Sequence, residues 1–192
     1  MRMLRTLGLA AAFAGGLTAA ASAATVGNDV IDRATVDTWS DFSFAFTNDT
    51  FIDGTITDWS VFAGGAGDIA LLVLDQVAPN TFEVAAVEVQ NVAAGLNNFM
   101  TSIAVSAGQI LGLYQGSGKV DFDFVSGPND EIFGARDGFP TAPTVGASFS
   151  GVGSTARDYS ISVEVSPVPL PAGLPLLVFG LGALAVARRQ KA

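Results

Sequence analysis

The chain has 192 residues, 18 of them acidic and 9 basic, for a formal charge of −9, and it contains neither histidine nor cysteine. That excludes a disulfide framework and thiolate chemistry, Ser-His-Asp and Cys-His nucleophilic sites, and any imidazole-bound metal. Five of the basic residues (Arg2, Arg5, Arg188, Arg189 and Lys191) lie in the two end segments, so only Arg33, Lys119, Arg136 and Arg157 stand against all 18 acids in between, a charge of −14 for that part. Such a domain repels nucleic acid and anionic lipid surfaces.

Arg2 and Arg5 precede an apolar run from Leu7 to Ala21, and Ala21-Ser22-Ala23 is an A-x-A site. Positive n-region, apolar h-region and small-residue site in that order predict a signal peptide over residues 1–23, cut before Ala24. The alternative, an N-terminal membrane helix, calls for a longer run.

Residues 24–167 make one domain by size. Ala24 to Thr38 is polar and leads into the first strand. Asp41 to Thr47 alternates strictly, which places Phe42, Phe44 and Phe46 on one face. Thr55 to Phe62 is a second strand with Trp59 and Val61 facing inward. Ala63-Gly64-Gly65-Ala66-Gly67-Asp68 is read as a turn, because a phosphate loop needs a helix after it and an aliphatic run follows instead. Ile69 to Leu74 reads as a strand buried on both faces. Pro79-Asn80 predicts a hairpin into Thr81–Val92, with a bulge at Ala85-Ala86. Gly95 to Asn98 reads as a loop, and Phe99 to Val105 as an alternating strand. Turns at Ala107–Gln109 and Gly116–Gly118 flank the strand Ile110–Tyr114. In the following strand, Val120, Phe122 and Phe124 are expected inside. Ser126 to Gly146 reads as a long loop, Ala147 to Ser150 as a short strand, and Asp158 to Val165 as the last strand, with Tyr159, Ile161 and Val163 inside. No segment of 24–167 has helical apolar spacing. The expectation is an all-β fold, an antiparallel β-sandwich of jelly-roll type.

The last segment, residues 168–192, opens on Val168-Pro169-Leu170-Pro171-Ala172. It continues without charge to Ala187 and ends on the basic residues Arg188, Arg189 and Lys191. A helix over the apolar run covers most of a ~30 Å hydrocarbon core, and the basic cluster halts translocation on the cytoplasmic side. Signature, apolar run and basic end resemble the VPLPA-type variant of the bacterial PEP-CTERM sorting signals. The resemblance is confined to residues 168–192; Gln190 within the basic end and Ala192 after it depart slightly from the pattern. It implies an exosortase-like membrane protease as partner, membrane residence before processing, cleavage near the signature, and delivery to the cell surface or extracellular matrix of a Gram-negative bacterium. The alternative is a plain membrane anchor with a chance proline cluster.

Candidate chemistry is sparse. Asp121 and Asp123 share one strand face, about 6.5–7 Å apart; with Asp130 and Glu131 they could give oxygens to Ca²⁺, and no cofactor is otherwise expected. The competing readings are a solvated strand face and, more remotely, an acid/base pair. Trp39 and Tyr114 are the candidate sugar-stacking residues, against core packing; their exposure on one concave face would favour carbohydrate. No nucleophile–base constellation can be assembled, so no catalytic residue and no enzyme activity is expected. The function expected is structural or adhesive, with a carbohydrate-binding module acting on exopolysaccharide as the alternative.

Overall fold

In the computed structural model the described residues are 22–124, 131–136, 142–151 and 154–168, and they lie in the compact unit Ser22–Val168. They form strands β1 (Ala24–Gly27), β2 (Thr35–Val36), β3 (Phe42–Thr50), β4 (Gly54–Gly65), β5 (Gly67–Ala78), β6 (Thr81–Val92), β7 (Gly95–Val105), β8 (Ile110–Gln115), β9 (Lys119–Phe124), β10 (Glu131–Arg136), β11 (Ser148–Ser150), β12 (Ser154–Tyr159) and β13 (Ile161–Pro167). Every pairing is antiparallel. Among the described residues no helix is long and apolar enough to cross a membrane; residues 1–21 and 169–192, on which the signal-peptide and spanning-helix expectations rest, lie outside them.

Two runs of strands dominate the pairing. One is β3-β8-β5-β6, extended by β10 beyond β3 and by β11 along the start of β6. The other centres on β4, which pairs with β7 on one side and with β13 and then β9 on the other. The two runs face each other across one core. Phe44 and Phe46 of β3, Ile69, Leu71 and Val73 of β5, and Leu111 and Leu113 of β8 pack with Trp59 and Val61 of β4 and with Ile161, Val163 and Val165 of β13. An antiparallel all-β arrangement of this kind is consistent with a β-sandwich.

A second, smaller cluster explains why β5 has no polar phase. Ala70, Leu72 and Leu74 point away from the main core into a group with Ala45, Phe82, Val84, Ile110, Tyr114 and Phe149. The strand is thus buried on both faces, and a strand with no wet face reads as a continuous apolar run. Gly112 of β8 belongs to the same crowding: a Cβ there would meet Leu74 Cδ1 at 2.6 Å and the Phe44 carbonyl oxygen at 2.9 Å.

Several local expectations hold. Ala78 pairs with Thr81 across Pro79-Asn80, and Asn80 takes φ 56°, as position i+2 of a type II turn requires. Val73 pairs with Ala86 and Leu74 with Val84, so Ala85 is the bulged residue. The bulge flips the phase, which brings Val87 onto the side of Phe82 and Val84. The glycine-rich stretch is a tight link from β4 into β5, with Ala66 alone between the two strands.

Others are corrected. Gly95–Asn98 is not a loop but the first part of β7; the link from β6 is Ala93-Ala94, tied down by the Asn97 side chain, which donates to the Ala93 and Gly95 carbonyls and accepts from the Ala93 N–H. The region read as a long loop contains β10, which pairs with β3 and β12. The last strand is two, β12 and β13, separated at Ser160. The polar leader contributes β1, an edge strand on β13 with Val26 in the core, and β2, a short partner of β9.

Candidate functional site

One polar cluster joins residues distant in sequence. Asp37 follows β2, and Arg157 and Tyr159 lie on β12. Asp37 is buried, and its carboxylate accepts from the Tyr159 hydroxyl, from Arg157 Nη1 at 3.3 Å and from the Trp39 backbone N–H at 3.0 Å. The Arg157 guanidinium sits over three aromatic rings: Phe122 at 4.3 Å, Trp39 at 4.9 Å and Phe124 at 5.4 Å. Burial, then the neighbouring Asp37 charge, pushes the Tyr159 hydroxyl above its ordinary range. It therefore stays protonated and keeps its donor role toward Asp37. Trp39 packs on Phe42 with centroids 4.5 Å apart, and Phe44 leads on to Tyr159 at 5.0 Å. This is a cation–aromatic clamp built around a buried ion pair.

A second clamp lies on the other side of β9. Arg33 donates from Nη1 to Asp123 Oδ2 at 3.3 Å, from Nε to Ser160 Oγ at 2.8 Å and from Nη2 to the Asp29 carbonyl at 2.9 Å. Asp123 Oδ1 accepts the Ala34 N–H at 3.0 Å, and Asp158 lies 4.0 Å from Arg33. Lys119 makes a third, donating from Nζ to the Trp39 carbonyl, Ser40 Oγ and the Gly116 carbonyl. The basic residues Arg33, Lys119 and Arg157 thus all pin the segment from Asp29 to Ser40, which has little strand pairing of its own.

That segment corrects the placement of the acidic pair. Asp121 and Asp123 do share a phase of β9, but Asp121 is only 2% exposed. The leader crosses over it: Val36 pairs with Asp121, and a Cβ at Gly64 would collide with Asp121 Oδ1 and lie 2.5 Å from Val36 Cγ2. Asp121 Oδ1 has no hydrogen-bond partner. Burial, helped by the charges of Asp32 and Asp123 and opposed by the backbone amides of Arg33 and Gly64, raises its pKa. Both oxygens of Asp123 are engaged by protein donors. Glu131 lies on β10, paired with Ala156, and Asp130 lies outside the described residues. Among the described residues no three acidic side chains gather into a metal-ligating group.

The Asp121 shift has a testable consequence. The native state holds this proton more tightly than the unfolded chain, so the stabilisation it gives is complete below the ordinary carboxylate value of about 3.9 and is lost as pH rises through the native value. Asp121→Asn removes that dependence. In urea titrations, the stability of the variant relative to the parent is expected to increase from about pH 4 to about pH 7. An equal difference at both pH values would contradict the burial argument.

Trp39 and Tyr114 do not share a face. Trp39 is 39% exposed and packs on the core side of β3, whereas Tyr114 is 1% exposed and belongs to the second cluster. The Tyr114 hydroxyl donates to Asp41 Oδ1 at 3.2 Å, at the edge of a pocket of about 420 Å³ that Ser40, Asp68, Ser117 and Ala142 also line. Phe124 is 71% exposed, against the expectation that it faces inward. Its phase matches Val120 and Phe122, but β9 runs past the end of the core, and the ring covers Arg157 instead.

The points expected to be processed lie at the limits of the compact unit. Ala23 is exposed, and Ala24 opens β1 opposite Val165 of β13. Val168 is exposed just after β13, and its N–H donates to the Asp53 carbonyl at 3.2 Å. Ala21, Pro169, Leu170, Pro171, Ala172, Arg188, Arg189 and Lys191 lie outside the described residues. Compared with protein-family models, curated proteins and solved structures, the chain matches none.

Proposed function

We propose that this chain is an exported protein of a Gram-negative bacterium, sorted by its C-terminal segment to the cell surface or extracellular matrix, where its domain has a structural or adhesive role and no catalytic one. The observation that carries the reading is the order of Val168-Pro169-Leu170-Pro171-Ala172, a charge-free run to Ala187, and Arg188, Arg189 and Lys191. An exosortase-like membrane protease is the partner this order fits. The compact unit supports it by beginning at Ser22, within the A-x-A site, and ending at Val168, the first residue of the signature. Because Ala24 pairs with Val165, both processing points flank one strand pair, and removal of the end segments leaves the paired strands whole.

The domain itself is proposed to be of jelly-roll type. The orders β2-β9-β4-β7 and β3-β8-β5-β6 support this, since they are the two four-strand orders of two interlocked Greek keys. In this chain β13 shares the place of β9 beside β4. The carbohydrate-binding alternative draws no support from Trp39 and Tyr114, which lie on opposite faces of the sheet; the hydroxyl- and carboxylate-lined pocket beside Asp41 and Asp68 is the feature that still favours it. Fractionation of the native host tests the main reading: the domain is expected in the outer-surface or matrix fraction, and recovery with the inner membrane alone would refute it.

A further inference from the structure

β7 is an edge strand beside β4. Among the described residues it pairs with β4 and with no other strand. Sheet edges in monomeric proteins are guarded by charge, proline or bulges, because their free N–H and C=O groups accept another strand. From Gly95 to Val105 there is neither a charged residue nor a proline, although the surrounding domain carries −14. One bulge is present: Ile56 pairs with Ile103 but Asp58 with Met100, which leaves an extra residue on β7 after Met100. The six residues Gly95–Met100 remain in regular register with Ala63–Asp58. Their outward side chains are Leu96, Asn98 and Met100, with Leu96 59% and Met100 84% exposed.

We propose that two copies of this chain pair edge to edge through Gly95–Met100, antiparallel about a two-fold axis at Asn98. Paired residues in an antiparallel ladder share a face. With the axis at Asn98, Leu96 of each copy meets Met100 of the other, and the two Asn98 amides meet at the centre. An axis at Asn97 or Phe99 sets Leu96 or Met100 against Asn98 instead and loses both apolar contacts. The contact is isologous and closes at two copies. Two acidic domains repel each other, so their approach requires a charge-free strip, and this strand supplies one; salt is expected to strengthen the pair by screening that repulsion. The inference does not rest on the export reading.

The chain has no cysteine, so an introduced one reports the contact directly. In the full chain in detergent, Asn98→Cys is expected to form a disulfide-linked dimer under mild oxidation at least about tenfold faster than Val77→Cys, an exposed control on β5, because positions facing each other across a ladder lie within disulfide reach. Leu96→Cys and Met100→Cys are expected to cross-link with each other more readily than either does with itself. Sedimentation in density-matched detergent reads the same contact without oxidation: Met100→Lys, at an exposed position, is expected to weaken dimerisation about tenfold or more. Cross-linking of Asn98→Cys no faster than Val77→Cys, a monomeric parent chain, or a dimer that Met100→Lys leaves unchanged would each overturn the proposal.

Discussion

Asp37→Ala is expected to cost about 3–5 kcal/mol, because breaking a buried ion pair strands its partner. The carboxylate is the acceptor for Arg157 Nη1, for the Tyr159 hydroxyl and for the Trp39 N–H. Its loss leaves a guanidinium that is already missing a partner at Nε and a fully buried phenol with an unmet donor. The sign of the second step separates the stranded charge from lost packing. Adding Arg157→Met to Asp37→Ala is expected to recover part of the loss, since it removes the uncompensated charge and keeps much of the volume. Denaturant midpoints of the two single variants and the double variant check this. A cost for Asp37→Ala below about 1 kcal/mol, as at a surface site, would mean that the clamp does not hold the leader.

Phe122→Ala is expected to cost about 3–5 kcal/mol, the range for deleting a core phenylalanine, whereas Phe124→Ala, two residues along the same face, is expected to cost less than about 1 kcal/mol. Phe122 is buried between Tyr159, 5.3 Å away by ring centroids, and the Arg157 guanidinium. Phe124 touches the same arginine from outside. Chemical denaturation of the two variants side by side decides it. Equal losses would mean that the core extends to the end of β9.

This pair of phenylalanines also marks how far sequence reaches. Alternation reports which face a side chain takes, and it does so correctly for Val120, Phe122 and Phe124. It does not report whether an opposing layer exists at each point along the strand, and Phe124 stays 71% exposed, with no opposing layer over its ring among the described residues. The six apolar residues Ile69–Leu74 were legible because burial on both faces leaves no polar phase. Pro79-Asn80 and the Ala85-Ala86 slip were legible because turn and bulge chemistry is local. Gly95–Asn98 was not, since two asparagines after a glycine are a loop signal, yet here Asn97 caps the link while its backbone runs on in the strand.

The clamps were out of reach for a related reason. Asp37 and Arg157 are 120 residues apart, and no local pattern joins them. One signal was available in the composition. A domain with four basic residues against 18 acids uses its cations sparingly, and Arg33, Lys119 and Arg157 all hold the strand-poor leader onto the sheets. Alternation with core residues predicts a solvated Asp121; the leader that buries it is polar and carries no periodicity of its own. Tyr114 failed as a surface aromatic because β8, like β5, has both faces covered.

The reading as a sorted surface protein rests on the two end segments, and the intact mass of the chain recovered from the outer surface of the native host tests it most directly. The mass predicted is that of a chain beginning at Ala24 and ending near Val168–Ala172, with no residue from Leu176 to Ala192. A surface-fraction mass that still includes Arg188, Arg189 and Lys191 would contradict sorting by cleavage and leave an uncleaved membrane anchor.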